Sequence, residues 1–204
     1  MKDNKKGFSL VELIVSFVLL ATVSAIICAM LSSGTNLFTR INTRTQLQYK
    51  SQVAAVQLQQ YLNYCDGGVA VAYPAGDTAK AANSLYIADK SGKKIYAFEY
   101  NSTDKMLTFA ERAVTVNAGT VVVADASPSP FCNKMSKFGV SFFNVEYSDP
   151  PLANAVKYDI IVSDADRTYD KNQIVTFRSK PLLITAPDSG KTLLQTLADE
   201  VWGS

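Results

Sequence analysis

A run of apolar residues from Phe8 to Leu31 that carries one charge, Glu12, constrains this chain more than any other feature. At about 1.5 Å per residue such a helix reaches roughly 36 Å, enough to cross a hydrocarbon core of about 30 Å. The run contains no Pro and no Gly, so nothing in it breaks a helix. Lys2, Lys5 and Lys6 precede it, and an excess of basic residues marks the cytoplasmic end of a span. The chain therefore reads as membrane-anchored, with its N-terminus in the cytoplasm and the remainder exported. A carboxylate inside such a helix costs about 2.5–3.5 kcal/mol near the bilayer centre, less near an interface, and is usually retained only where it has a partner. No Lys, Arg or His lies between Phe8 and Leu31. The cation for Glu12 must come from a chain terminus or from another subunit.

Two ordinary explanations of the same stretch are a secretory signal peptide, cut after Val23-Ser24-Ala25 or Ile27-Cys28-Ala29, and an uncleaved signal anchor. The first conflicts with an apolar tract longer than the usual 7–15 residues. Neither has a use for Glu12. The stretch Lys5-Lys6-Gly7-Phe8-Ser9-Leu10-Val11-Glu12-Leu13-Ile14-Val15 resembles the class III signal of type IV prepilins and of the pseudopilins of type II secretion. That resemblance implies cleavage between Gly7 and Phe8 by a membrane-embedded prepilin peptidase and N-methylation of the new Phe8 amine. It also implies pairing of Glu12 with the N-terminal amine of a neighbouring subunit, the apolar helices forming the core of a filament.

The chain of 204 residues fits one membrane segment and one exported domain. The divisions expected are a leader over 1–7, a transmembrane helix over 8–31, a helical stalk over 32–65 and a β-rich head over 66–204. Removing the leader takes away three of the 20 basic and one of the 18 acidic residues and leaves the two signs equal. That balance argues against general binding to nucleic acid. Between Thr35 and Cys65 the charges are Arg40, Arg44 and Lys50, all positive, whereas the head is mildly acidic. Arg40 and Arg44 suit either phospholipid headgroups or the acidic heads of neighbouring subunits.

Leu37, Ile41, Leu47, Ala54, Leu58, Leu62 and Cys65 keep to one slowly drifting helical face. One helix is thus expected from Phe8 to Cys65, with Gly34 as a bend and its second half packed on the head. Asp66-Gly67-Gly68 reads as its left-handed cap, and Val69 to Asn83, with Pro74-Ala75-Gly76-Asp77, as a loop. The period then changes to two. Leu85–Ala88, Ile95–Tyr100 and Met106–Glu111 read as a meander, Thr120–Ala124 as a further strand after Asn117-Ala118-Gly119, and Ser127-Pro128-Ser129-Pro130 as a break. Phe138–Tyr147, Val156–Val162 and Gln173–Phe177 follow as strands. Six or seven strands against one long helix make an α+β head, and the long half-anchored helix is similar to the pilin fold. The order of helix and strands resembles the larger minor pilins and J-class pseudopilins, which implies a subunit that initiates or caps a filament.

Cys28 lies in the membrane run and reads as packing. Cys65 and Cys132 both fall on the exported side, which leaves open a disulfide, worth up to about 4 kcal/mol for a long loop, or two thiols. The acidic stretch Asp164 to Asp170 lacks the Gly and terminal Glu of an EF-hand loop and reads as a solvated turn, not a metal site. The chain has no His, no recognisable nucleophile motif and no phosphate loop. No catalytic residue, cofactor or small-molecule ligand is therefore expected. From Ser189, as N-cap, to Trp202 the residues Leu193, Leu194, Leu197 and Val201 share a face, which suits a short helix docked on its own sheet or on a neighbour. The expected role is a filament subunit whose partners are the peptidase, the membrane and other pilin-like chains. The competing class is a signal-anchored surface protein with an adhesin head or a carboxylate-based enzyme head.

Overall fold

The computed structural model describes residues 9–73, 82–143, 155–164, 167–177 and 181–203. Helix α1 spans Leu10–Asn63, followed by β1 (Gly68–Ala72), β2 (Ser84–Asp89), β3 (Lys94–Asn101), β4 (Met106–Asn117), β5 (Thr120–Val123), β6 (Ser129–Asn133), β7 (Met135–Phe143), β8 (Ala155–Asp164), β9 (Arg167–Thr176), β10 (Leu182–Ile184) and α2 (Leu193–Trp202). The chain divides into two units, one up to Thr45 and one from Gln46 onward. In the first, the helix is unbroken through Gly34 and its large apolar side chains are exposed on all sides. The second holds both cores.

The architecture is the expected α+β, a long apolar N-terminal helix against antiparallel-rich sheet. Two sheets stand where one was expected: a seven-stranded sheet in the order β10-β1-β2-β3-β4-β5, with β6 also pairing β4, and a three-stranded sheet β7-β8-β9. The three strands of the meander appear with longer ends than their alternation suggested. Ala118 and Gly119 both take positive φ between β4 and β5, as a tight hairpin with right-handed strand twist requires.

Leu47, Ser51, Ala54, Ala55, Leu58 and Leu62 form the buried stripe of α1. Leu37 and Ile41, expected on the same face, are more than half exposed. Periodicity reports which side chains share a face, not whether anything covers it. Below the stripe lie Val69, Val71, Leu85, Ile87, Phe98 and Leu107 from the larger sheet and Met135, Phe138, Val140, Val156, Tyr158, Ile160 and Val162 from the smaller one. A second core holds the opposite side of the larger sheet (Ala70, Ala88, Ile95, Val114, Val121) against Leu197, Ala198 and Val201 of α2.

That second core explains two departures from expectation. The segment read as a loop contains β1, paired antiparallel to β2 and parallel to β10. Buried on both sides, it is a continuous apolar run without the alternation that identifies half-exposed strands. Gly67 and Gly68 do not take positive φ. They are small because α2 lies on them: a Cβ on Gly68 would sit 2.9 Å from Leu197 Cδ1 and 3.2 Å from Leu182 O, and one on Gly67 3.0 Å from Ala88 O. The N-cap of α2 is Thr192, whose hydroxyl accepts from the Gln195 N–H at 3.2 Å, rather than Ser189. The expected apolar face of α2 does meet its own sheet, with Leu197 and Val201 buried and Leu193 and Leu194 half-buried.

The proline-rich break is also narrower than expected. Ser129 and Pro130 already belong to β6, where Pro130 stands opposite Thr108 beside a register shift in β4. Proline is tolerated there because an irregular edge position does not require its missing N–H. The loop residues Pro74–Asp77 and the expected strand end at 144–147 lie outside the described residues.

A polar tie holds α1 to the smaller sheet. Tyr158 OH donates to Ala55 O at 2.9 Å and lies 3.1 Å from Gln173 Oε1, while Gln173 Nε2 donates to Gln59 Oε1 at 3.0 Å. Tyr158 is fully buried, so loss of its hydroxyl is not compensated by water. Tyr158→Phe is expected to lower stability by about 0.5–1.5 kcal/mol, and Gly68→Val by about 1–3 kcal/mol through overpacking against α2. Denaturant melts of the two variants against the parent check both; an unchanged midpoint for Gly68→Val would show that α2 does not press on β1.

Candidate functional site

The N-terminal part of α1 presents apolar surface with few polar groups. Leu10, Phe17, Leu20, Met30 and Leu31 are each more than 60 % exposed, and the helix reaches a mean hydropathy of 2.7 over its most apolar 18 residues. The hydroxyls within it fold back onto the helix: Ser16 donates to Glu12 O, Thr22 to Leu19 O and Ser24 to Leu20 O, each at 2.8 Å. Such back-bonding satisfies hydroxyls without a second chain. Glu12 is the charged residue left, exposed and in the first helical turn. A carboxylate there is favoured by the unpaired N–H groups and the positive end of the helix dipole, but no side chain of the run can neutralise it. Gly7 and Phe8, the expected cleavage and methylation positions, lie outside the described residues; the helix begins two residues after Phe8.

The head carries a feature that no motif announced. A groove of about 910 Å³ runs beside the C-terminal part of α1, lined by Gln57, Gln60, Tyr61 and Tyr64 of the helix end and by Asp89, Tyr96, Phe109 and Phe131 of the larger sheet, among others. Tyr61 is its centre, with ring centroids 4.7 Å from Tyr96, 5.3 Å from Phe109 and 5.4 Å from Phe98. Tyr96 and Phe109 stand on alternate positions of adjacent strands and therefore share the helix-facing side. The sequence held a signal, tyrosine and phenylalanine recurring at period two, but pairing was needed to place them beside Tyr61.

Carboxylates set the electrostatics of this groove. Asp89 Oδ1 accepts from Gly92 N–H at 2.7 Å and from Ser91 Oγ at 2.9 Å, which fixes the β2–β3 turn. Tyr96 OH lies 3.5 Å from its other oxygen. The Tyr61 hydroxyl is raised above the usual phenol range by burial and then by the Glu111 charge, and that of Tyr96 by burial and then by Asp89 and Glu111. Glu111 itself pairs with Lys94 at 2.6 Å. Asp66 caps the same turn, accepting from Lys90 N–H at 2.6 Å and Ser91 N–H at 3.1 Å; burial raises its carboxyl, and the bonds from Ser91 and Lys90 outweigh that and hold it low.

Of the two arrangements open to Cys65 and Cys132, the structure has thiols, both buried. Cys65 Sγ lies 3.5 Å from Gly68 O and 3.7 Å from Ala88 O, whereas Cys132 sits in β6 with Sγ 3.7 Å from Asn133 O. Burial pushes the Cys65 thiol up to about 12, helped by the Asp66 and Asp89 charges against a bond from Gly67, and burial also raises Cys132. In the acidic stretch, Asp164 pairs with Lys134 at 2.5 Å and stands opposite Arg167 in the β8–β9 ladder; 165–166 lie outside the described residues. A thiol raised to about 12, as that of Cys65 is, is almost wholly protonated at pH 8, and the thiolate is the nucleophile, while burial keeps reagents from Cys132. Native protein treated with iodoacetamide at pH 8 is therefore expected to leave Cys65 and Cys132 unmodified and to take up label at both after denaturation. Peptide mass mapping checks this, and fast native labelling of Cys65 would contradict its burial.

Residues 2–27 match the family model of the prokaryotic N-terminal methylation motif, the class III signal typical of type IV pilins and pseudopilins. Together with the apolar helix, the motif supports a pilin- or pseudopilin-like precursor anchored in the membrane. No curated protein sequence matches the chain.

Proposed function

We propose that this chain, with the methylation motif at its head, is a structural subunit of a type IV pilus-like filament, cut after Gly7 and assembled through Phe8 to Leu31. Glu12 carries the proposal: a lone carboxylate in an apolar helix has no use in a signal peptide or a simple anchor. In a bundle of such helices it gains a cation when the Phe8 amine of a neighbour comes alongside, and a buried pair of that kind fixes register, because an offset leaves both charges unpaired. The all-round exposure of apolar side chains on this part of α1 suits a helix that exchanges lipid for other helices. The role is mechanical rather than catalytic, and the partners are prepilin peptidase, the membrane and other pilin-like subunits. The subfamily likeness supports a place in the initiating or tip complex.

Two measurements test this. The intact mass and N-terminal sequence of the protein from its host membranes are expected to show a chain that begins at Phe8 and is heavier by one methyl group. A chain that begins near Ile26 or retains Met1 rules out prepilin processing. Glu12→Ala is expected to insert and be processed as the parent but to enter sheared filaments at least tenfold less, read by immunoblot; parental incorporation of that variant would sink the assembly role.

A further inference from the structure

We infer that the aromatic groove of the head receives an arginine side chain from the stalk of a second copy of this chain, with Arg44 as the residue it takes. This rests on the assembly reading and assigns that assembly a second contact, remote from Glu12. The groove has the chemistry of a guanidinium site. Tyr61, Tyr96 and Phe109 pack on one another and are each half-buried, so the groove wall they form is aromatic, and an arginine laid on exposed aromatic surface is attracted by its quadrupole and stacks there better than lysine does. Gln57 and Gln60 bring amide oxygens that accept guanidinium N–H groups, and Asp89 brings a carboxylate. Among the described residues no Lys or Arg lines the groove, so they offer a phosphate or other anion no counter-charge there.

The complementary group is on the same chain. All charges between Thr35 and Cys65 are positive. Lys50 is engaged, donating to Asn133 Oδ1 at 2.7 Å, whereas Arg44 is exposed. Two different patches of one molecule that fit each other make a heterologous contact, and such a contact builds an open helical array unless its rotation happens to close. A filament requires that kind of interface. A groove for a free organic cation would lack any such counterpart on the chain.

The test uses full-length protein in host membranes, on a Cys28→Ser background, as two differently tagged copies. One carries Gln48→Cys, one helical turn beyond an intact Arg44, and the other Gln60→Cys in the groove. A short bismaleimide is expected to join them, at least fivefold better than it joins Gln48→Cys to Asp125→Cys, a fully exposed control position. Gln57→Lys in the groove copy is expected to lower the yield at least fivefold, and Arg44→Glu in the stalk copy to restore it; Gln57→Ala, which removes one acceptor without adding a like charge, is expected to lower it less than Gln57→Lys does. No cross-link, or one equally strong at Asp125, overturns the inference. Loss on Arg44→Glu that Gln57→Lys does not repair overturns it too, and assigns Arg44 to lipid headgroups. If Glu12→Ala abolishes incorporation while assembled parent chains give no cross-link, the assembly role stands and the groove contact falls.

Discussion

One helix has to satisfy two environments, and the rest of the molecule depends on how it does so. Up to Leu31 the sequence of α1 is apolar on every side, which suits lipid or other helices. From Leu47 onward it buries one narrow stripe and exposes the remainder, much of it glutamine. Leu47, Leu58 and Leu62 reach into the interior of the head, where both sheets close on them. Without that stripe neither sheet has a complete core, because the three-stranded sheet meets the larger one through few strand contacts, among them the isolated pairing of Ala82 with Val140.

Helix α2 has the corresponding role on the opposite side. It covers β1, the strand that carries no polar face, and its Leu197 and Val201 occupy the space that two glycines leave open. Trp202 Nε1 donates to Lys90 O at 3.3 Å, next to the turn that Asp66 and Asp89 hold. The end of the chain, the end of α1 and the β2–β3 turn are thereby joined at one corner. The same corner forms one wall of the aromatic groove, so the groove is built on rigid parts of the fold rather than on a loose loop.

The division of labour along the chain is chemical. The N-terminal segment is defined by the near-absence of charge, since a single carboxylate in an apolar surface is informative only because no side chain of the run answers it. The head relies on ordinary core formation, with ion pairs such as Lys94–Glu111 and Lys191–Asp199 at its surface. Pairs that exposed contribute little to stability. What distinguishes the head chemically is its shape and the side chains that stand beside Tyr61.

The sequence by itself determined the features that act along the chain. The length of the apolar run, the isolation of Glu12, the long helix, the meander and the docking face of the last helix are all local patterns, of period 3.6 or two, and each appears in the structure or in the matched motif. Tertiary structure decided what depends on neighbours distant in sequence. Val69 to Ala72 became a strand because two others pair with it and α2 seals its second side, and Gly67 and Gly68 are small for lack of room rather than for left-handed φ. Leu37 and Ile41 share the periodicity of the buried stripe and yet lie outside it. The groove combines a tyrosine near residue 60 with rings from residues 96, 109 and 131, and only strand pairing sets that distance: periodicity says which way a side chain points, and packing says what it meets.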